Sequence, residues 1–220
     1  VEDLNLKERV LDIAYKFKLS HLGSYFSSLM IVDEIYSQMR ENDIFILSSG
    51  HAAVSLYTVL EKYHNINAEM LFEKHGGHPH RDEENKIHCS TGSLGMGLSI
   101  AVGRALAEPN RDVYCLISDG EAAEGSIWEA LRYCYVKKID NIKIYCNING
   151  YTAYEEIEYD YLADRLKVFL PEINLRYTTV EQFPFLVGLN AHYHVMSDED
   201  YDLAKRSIAR RREMNEKVIQ

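Results

Sequence analysis

Residues 113–120 read Val113-Tyr114-Cys115-Leu116-Ile117-Ser118-Asp119-Gly120, and residues 142–150 read Ile142-Lys143-Ile144-Tyr145-Cys146-Asn147-Ile148-Asn149-Gly150. Val113 to Ile117 is a continuous apolar run, the pattern of a strand buried on both faces. Ile142 to Cys146 predicts the next strand, and residues 126–137 between them predict a helix. Strand, helix and strand at this spacing make a right-handed βαβ unit, hence a parallel sheet. Asp119 then falls at the carboxyl end of its strand, where open parallel sheets bind ligands. Gly120 lets the backbone turn sharply and approach a ligand closely. Adjacent parallel strands bring the Asn147/Asn149 region to the same edge. A carboxylate, an amide oxygen and a backbone carbonyl form a hard oxygen site suited to Mg2+. The same residues also read as two ordinary glycine turns after strands.

Working outward, residues 4–18 predict a helix with Leu4, Val10, Leu11, Ile13, Ala14 and Phe17 on its apolar side. Residues 27–39 predict a second, burying Leu29, Met30, Val32, Ile35 and Tyr36. Leu19 to Ser24 reads as a polar turn between them. Ile44 to Leu47 is a short strand, followed by Ser48-Ser49-Gly50-His51 and a helix over 52–63. Residues 73–90, with two glycines, a proline and four histidines, read as loop. Thr91 to Gly97 is a glycine-rich turn opening a helix to about Ala107. The acidic, tyrosine-rich stretch from Tyr151 to Pro171 has no clear pattern. A last helix over 198–216 is capped by Ser197, with acids early and arginines late.

Composition narrows the function class. At 220 residues and 46% hydrophobic content, the chain supports one α/β domain, residues 1–220, with a substantial core. A net charge of −10 gives a nucleic acid no basic footprint. No apolar stretch reaches the roughly 18 residues of a membrane span, and Val1-Glu2-Asp3-Leu4 lacks signal-peptide character. Cys89, Cys115, Cys134 and Cys146 have no CxxC spacing. Three of them lie in apolar strand- or helix-like segments, which fits buried thiols in a reducing compartment, so a cytoplasmic location is expected.

Ser118-Asp119-Gly120, Glu124-Gly125, the Glu129-Ala130 helix and Asn149, thirty residues after Asp119, resemble the thiamine-diphosphate motif of transketolases. Five further segments resemble that family in order: Ser20-His21-Leu22-Gly23, Leu47 to Ala52, Gly76-Gly77-His78-Pro79, Thr91 to Gly97, and His194 before Ser197-Asp198-Glu199-Asp200-Tyr201. Ser118 departs from the family's usual glycine. The resemblance implies a three-layer thiamine-diphosphate-binding fold with a mostly parallel central sheet flanked by helices. It implies that Mg2+ is held by Asp119, the Asn149 side chain and the Tyr151 carbonyl, and it prefers Asn149 to Asn147. His51, Gly92, Leu94 and Gly120 would meet thiamine diphosphate, as would Glu121, Asn149 and His194. His21, His51, His78 and His194 would be catalytic, and Glu124 would join a glutamate across an interface. Glu129 resembles a second interface acid.

Imidazoles suit a polyhydroxylated carbonyl substrate because they donate to its oxygen and shuttle protons near neutral pH. His64, His75, His80, His88 and His192 read as surface or packing residues. Zinc is a rival reading for His75, His78 and His80, but no cysteine pair or HExxH helix accompanies them. Gly92, Gly95 and Gly97 make GxxGxG, not the GxGxxG of dinucleotide sites. The family's glutamate that activates the pyrimidine lies on a second domain with no match here. A C-terminal, pyrimidine-binding partner subunit is therefore expected, in an α2β2 heterotetramer that transfers a two-carbon ketol unit between sugars or sugar-derived substrates. A 2-oxo-acid decarboxylase or deoxyxylulose-phosphate-type synthase is the alternative within the cofactor class, opposed by Glu124-Gly125 and His78-Pro79. A non-catalytic interaction subunit is the alternative outside it.

Overall fold

Val113–Ser118 and Ile142–Ile148 pair in parallel, with Val113 beside Ile142 and Ser118 beside Asn147. The computed structural model describes residues 3–152 and 155–219. Val1 and Glu2, the start of the stretch without signal-peptide character, lie outside them, as do two residues, 153 and 154, of the tyrosine-rich stretch. In chain order the elements are α1 (Leu4–Lys16), α2 (Leu22–Gln38), β1 (Ile44–Leu47), α3 (Ala53–His64), α4 (Ala68–His75), α5 (Met96–Ala107) and β2 (Val113–Ser118). Then follow α6 (Gly125–Lys137), β3 (Ile142–Ile148), α7 (Tyr159–Phe169), β4 (Asn174–Tyr177), α8 (Asn190–Tyr193) and α9 (Asp198–Ile219). The four strands form one parallel sheet in the order β1-β2-β3-β4.

Strand side chains alternate between faces, and this alternation builds two cores. Phe45, Leu47, Tyr114, Leu116 and Tyr145 pack with residues of α1, α2, α3 and α4. Ile44, Ile46, Val113, Cys115, Ile117, Ile144, Cys146 and Ile148 pack with α5, α6 and α7. The result is a three-layer α/β fold, as expected. No helix among the described residues is long and apolar enough to cross a membrane. All four cysteines are buried and unpaired.

Several local expectations change. The second helix begins at Leu22, not at residue 27, and buries Leu22, Tyr25 and Phe26 in its first turns. A Cβ on Gly23 would lie 2.7 Å from that of Ala191, so only glycine lets α2 lie this close to α8. Residues 73–75 are the last turn of α4, which begins where the Asn67 side chain accepts the Met70 N–H at 2.8 Å. β4 carries no apolar run; its Arg176 pairs with Glu34 of α2. The last helix runs on to Ile219, and the Ser197 hydroxyl accepts the Asp200 N–H at its start.

Candidate cofactor and metal site

The carboxyl ends of β2 and β3 are joined through Asp119. Its Oδ2 accepts the N–H groups of Asn149 and Gly150 at 2.7 and 2.8 Å, and its Oδ1 accepts that of Gly120 at 3.0 Å. The residue is 1% exposed. Burial pushes its pKa up to about 6, against the downward pull of those N–H donors. Gly150 has φ +89°, a region that favours glycine, and turns the chain back across the sheet edge. An isolated bridge joins Tyr151 to Glu156 beyond it. The Gly150 carbonyl accepts the Ile157 N–H at 2.9 Å, and the Asn149 carbonyl accepts the Tyr159 hydroxyl at 3.2 Å. The Asn149 side-chain oxygen faces the Tyr151 N–H at 3.1 Å.

The two candidate asparagines separate cleanly. Asn147 points into the α2 face, where its Nδ2 donates to Ser27 and Ser28 at 3.0 and 3.3 Å and its Oδ1 accepts from Thr178. It holds a helix to the sheet. Asn149 lies with Asp119, Gly120 and Tyr151 on the wall of a cleft of about 250 Å³. That volume falls below the ~300–1,000 Å³ of pockets that enclose a whole ligand.

His21, His51, His78 and His192 line the same cleft, together with Gly92 and Leu94. The His21 ring lies 5.9 Å from that of His51 and 4.1 Å, edge-on, from that of His192. His21 has φ +65°, and its N–H donates to the His192 carbonyl at 2.8 Å, tying the start of α2 to α8. Burial, then the neighbouring imidazoles, lowers the pKa of His51 to about 3 and that of His21 to about 4. Burial also lowers that of His192. These are neutral imidazoles at pH 7, each with one donor and one acceptor nitrogen. Gly92 has φ +137°, and a Cβ there would sit 2.7 Å from the His78 ring.

Three expected site residues lie elsewhere. His194 is outside the cleft; its Nε2 lies 2.8 Å from the Asp200 carboxylate at the start of α9. His192, which reads from sequence as a packing residue, occupies the cleft instead. Only its position two residues upstream hints at this. Glu121 is fully buried and turned inward: its carboxylate accepts from the Ser48 hydroxyl at 2.6 Å, Gly95 N–H at 3.0 Å and Ser118 N–H at 3.2 Å. It braces the ends of β1 and β2 against the glycine turn, and burial raises its pKa to about 7. Glu124 and Glu129 are exposed and do not line the cleft; Glu124 packs against Gly95 of the glycine turn. Of the rival zinc set, His75 bonds to Asp82 at 3.1 Å. No group of three metal-binding side chains forms among the described residues.

The donors suit Mg2+ better than zinc. One buried carboxylate and one amide oxygen meet at a cleft, leaving coordination positions for water and phosphate oxygens. A cation there would offset the desolvation that raises the Asp119 pKa.

A parallel α/β sheet with an acid–amide pair at its carboxyl edge, facing a histidine-lined cleft, defines a ligand-binding α/β domain. The chain belongs to the family "Transketolase, thiamine diphosphate binding domain", whose model matches residues 11–169. It is 39% identical over 119 residues to transketolase of Homo sapiens, covering 49% of this chain and 19% of that protein. It is 33% identical over 156 residues to one named subunit of the apulose-4-phosphate transketolase of Phocaeicola vulgatus, covering 62% of this chain and 55% of that protein. The crystal structure of transketolase from Campylobacter jejuni superposes with a TM-score of 0.65 at 18% identity, over 94% of this chain and 43% of the other. The matches thus span about a fifth of full-length transketolase and about half of the apulose-4-phosphate transketolase chain.

Proposed function

We propose that this chain is the diphosphate- and Mg2+-holding part of a transketolase-type transferase that moves a two-carbon ketol unit between sugars or sugar-derived substrates. The carrying observation is the Asp119–Asn149 pair at the wall of a cleft lined by four histidines. Asp119 and the Asn149 side chain, with the Tyr151 carbonyl, would hold Mg2+ and through it the diphosphate of thiamine diphosphate. Bound there, the cofactor supplies the carbon nucleophile of ketol transfer. Gly92 and Leu94 shape the wall beside the glycine turn. The neutral imidazoles of His21, His51 and His192 can each donate a hydrogen bond to a carbonyl or hydroxyl oxygen from one ring nitrogen and accept one from a hydroxyl at the other. His78 lies at the exposed rim, placed to meet substrate.

The complementary part is a C-terminal, pyrimidine-binding subunit in an α2β2 assembly. Support comes from the likeness to proteins whose names make them single subunits of a transketolase, and from a cleft too small to enclose a whole cofactor. Unpaired buried thiols favour the cytoplasm. Calorimetric titration of the reconstituted complex with thiamine diphosphate and Mg2+ tests the reading. Saturable, Mg2+-dependent binding that Asp119→Ala abolishes is expected. Binding that is absent, or indifferent to that substitution, overturns it.

A further inference from the structure

The tyrosine-rich stretch after β3 shows no pattern in sequence, yet its residues 155–159 lie against the turn that carries Asn149. Ile157 donates its N–H to the Gly150 carbonyl, and Thr152 donates its own to Glu155 at 2.8 Å. Tyr159, the first residue of α7, sends its hydroxyl to the Asn149 carbonyl at 3.2 Å. The same hydroxyl lies over the Gly150 Cα: a Cβ there would sit 2.6 Å from it and 2.9 Å from the ring carbon bearing it. Tyr159 is 40% exposed, and its ring rests 6.2 Å from that of Tyr177 at the end of β4.

The Asn149–Gly150 peptide is thus held from two sides. Asp119 accepts the Asn149 and Gly150 N–H groups from within, and the Tyr159 hydroxyl donates to the Asn149 carbonyl from without. A ligand amide must be fixed to a fraction of an ångström to coordinate Mg2+, which demands near-ideal octahedral geometry. Without the Tyr159 hydroxyl the turn keeps Asp119 and the Ile157 N–H, but the Asn149 carbonyl loses its donor.

We infer that Tyr159 is a positioning residue: its hydroxyl fixes the Asn149-Gly150-Tyr151 turn in the orientation that presents the Asn149 side chain and Tyr151 carbonyl to Mg2+. This rests on the function proposed above. It assigns residues 155–159 the work of a strap over the metal turn, with α7 as its anchor.

Tyr159→Phe removes the hydroxyl and keeps the ring. Hydrogen exchange of the full chain without cofactor is the first measurement. The Asn149 and Gly150 amides, whose N–H groups face Asp119, should lose protection by roughly 2- to 10-fold, the range of one hydrogen bond. Mg2+ titration of the complex at saturating thiamine diphosphate should show a Kd raised by a similar factor, with Tm nearly unchanged. A packing role predicts that phenylalanine behaves as wild type in both measurements, and that result overturns the inference. Faster exchange with unchanged Mg2+ affinity also overturns it, since the strap would then order the turn without serving the metal. Absence of Mg2+-dependent binding in wild type overturns the function reading, and the metal role of Tyr159 with it. The exchange difference separates that failure from the first.

Discussion

Asp119 Oδ2 accepts the backbone N–H of Asn149 at 2.7 Å, so the carboxylate at the end of β2 sets the path of the chain leaving β3. Two residues thirty apart in sequence become one structural unit. The carboxylate has two tasks: it shapes the turn, and it is the only buried acid on the cleft wall among the described residues. Asp119→Asn keeps the shape and one acceptor oxygen but removes the charge. The expected result is a folded domain with Mg2+ affinity lowered at least 10-fold, read by calorimetry of the complex. Wild-type affinity would remove Asp119 from the metal site.

Asn147 and Asn149 should divide stability from binding. Asn147→Ala strips partners from Ser27, Ser28 and Thr178 in a buried setting. It should cost about 1–3 kcal/mol in urea unfolding and leave Mg2+ affinity alone. Asn149→Ala should do the reverse. Equal effects of the two on binding would contradict the assignment.

The spacing of these residues was legible because strands buried on both faces are apolar runs and glycine marks their ends. That much fixed β2, β3 and the edge where the site lies. β4 was not legible: Asn174-Leu175-Arg176-Tyr177 is a half-exposed edge strand, held partly by the Arg176–Glu34 ion pair between elements far apart in sequence. The early start of α2 was hidden because Leu22-Gly23-Ser24 reads as a turn, whereas Gly23 is there for the close approach of Ala191 in α8. Glu121 reads as a site acid beside Asp119, but the 3₁₀ turn over Gly120–Ala123 rotates it inward. No local pattern could show that rotation.

Glu121 therefore predicts a stability effect. Glu121→Ala would leave the Ser48 hydroxyl and the Gly95 and Ser118 N–H groups without their acceptor. A loss of about 3 kcal/mol or more is expected in chemical denaturation. A change below about 0.5 kcal/mol, the roughly neutral range of surface substitutions, would show that the brace carries no weight.

The histidine cluster predicts acid sensitivity. His51 and His21 have pKa values of about 3 and 4 in the fold against 6.5 ordinarily. Below pH 6.5 the unfolded chain binds protons that the folded chain does not, so their stabilising contribution is complete above 6.5 and is lost as pH falls toward 4. Asp119 and Glu121, raised to about 6 and 7, act in the opposite sense, so the informative quantity is a difference. His51→Gln should make the fall in stability from about pH 7 to about pH 5 shallower than in wild type, by at most about 1.4 kcal/mol per pH unit. Calorimetric melting without cofactor measures it, and parallel profiles would mean that His51 is not held neutral by its surroundings.

His192 and His194 give the most direct test of the cleft, because sequence resemblance selects one and the structure the other. The His192 ring packs edge-on against His21 and faces the cavity, and its carbonyl anchors the His21 backbone. The His194 ring faces Asp200, whose carboxylate also accepts from the Ser197 N–H and hydroxyl at the start of α9. His192→Ala keeps the backbone anchor and deletes only the imidazole. It should lower ketol transfer by the reconstituted complex about 10²-fold or more, the usual worth of a positioned acid–base group, with Tm little changed. His194→Ala should leave turnover within a few-fold and loosen the start of α9, lowering Tm slightly. The opposite ranking would mean that α8 and the segment after it rearrange when cofactor and partner bind, carrying His194 into the cleft that His192 fills here.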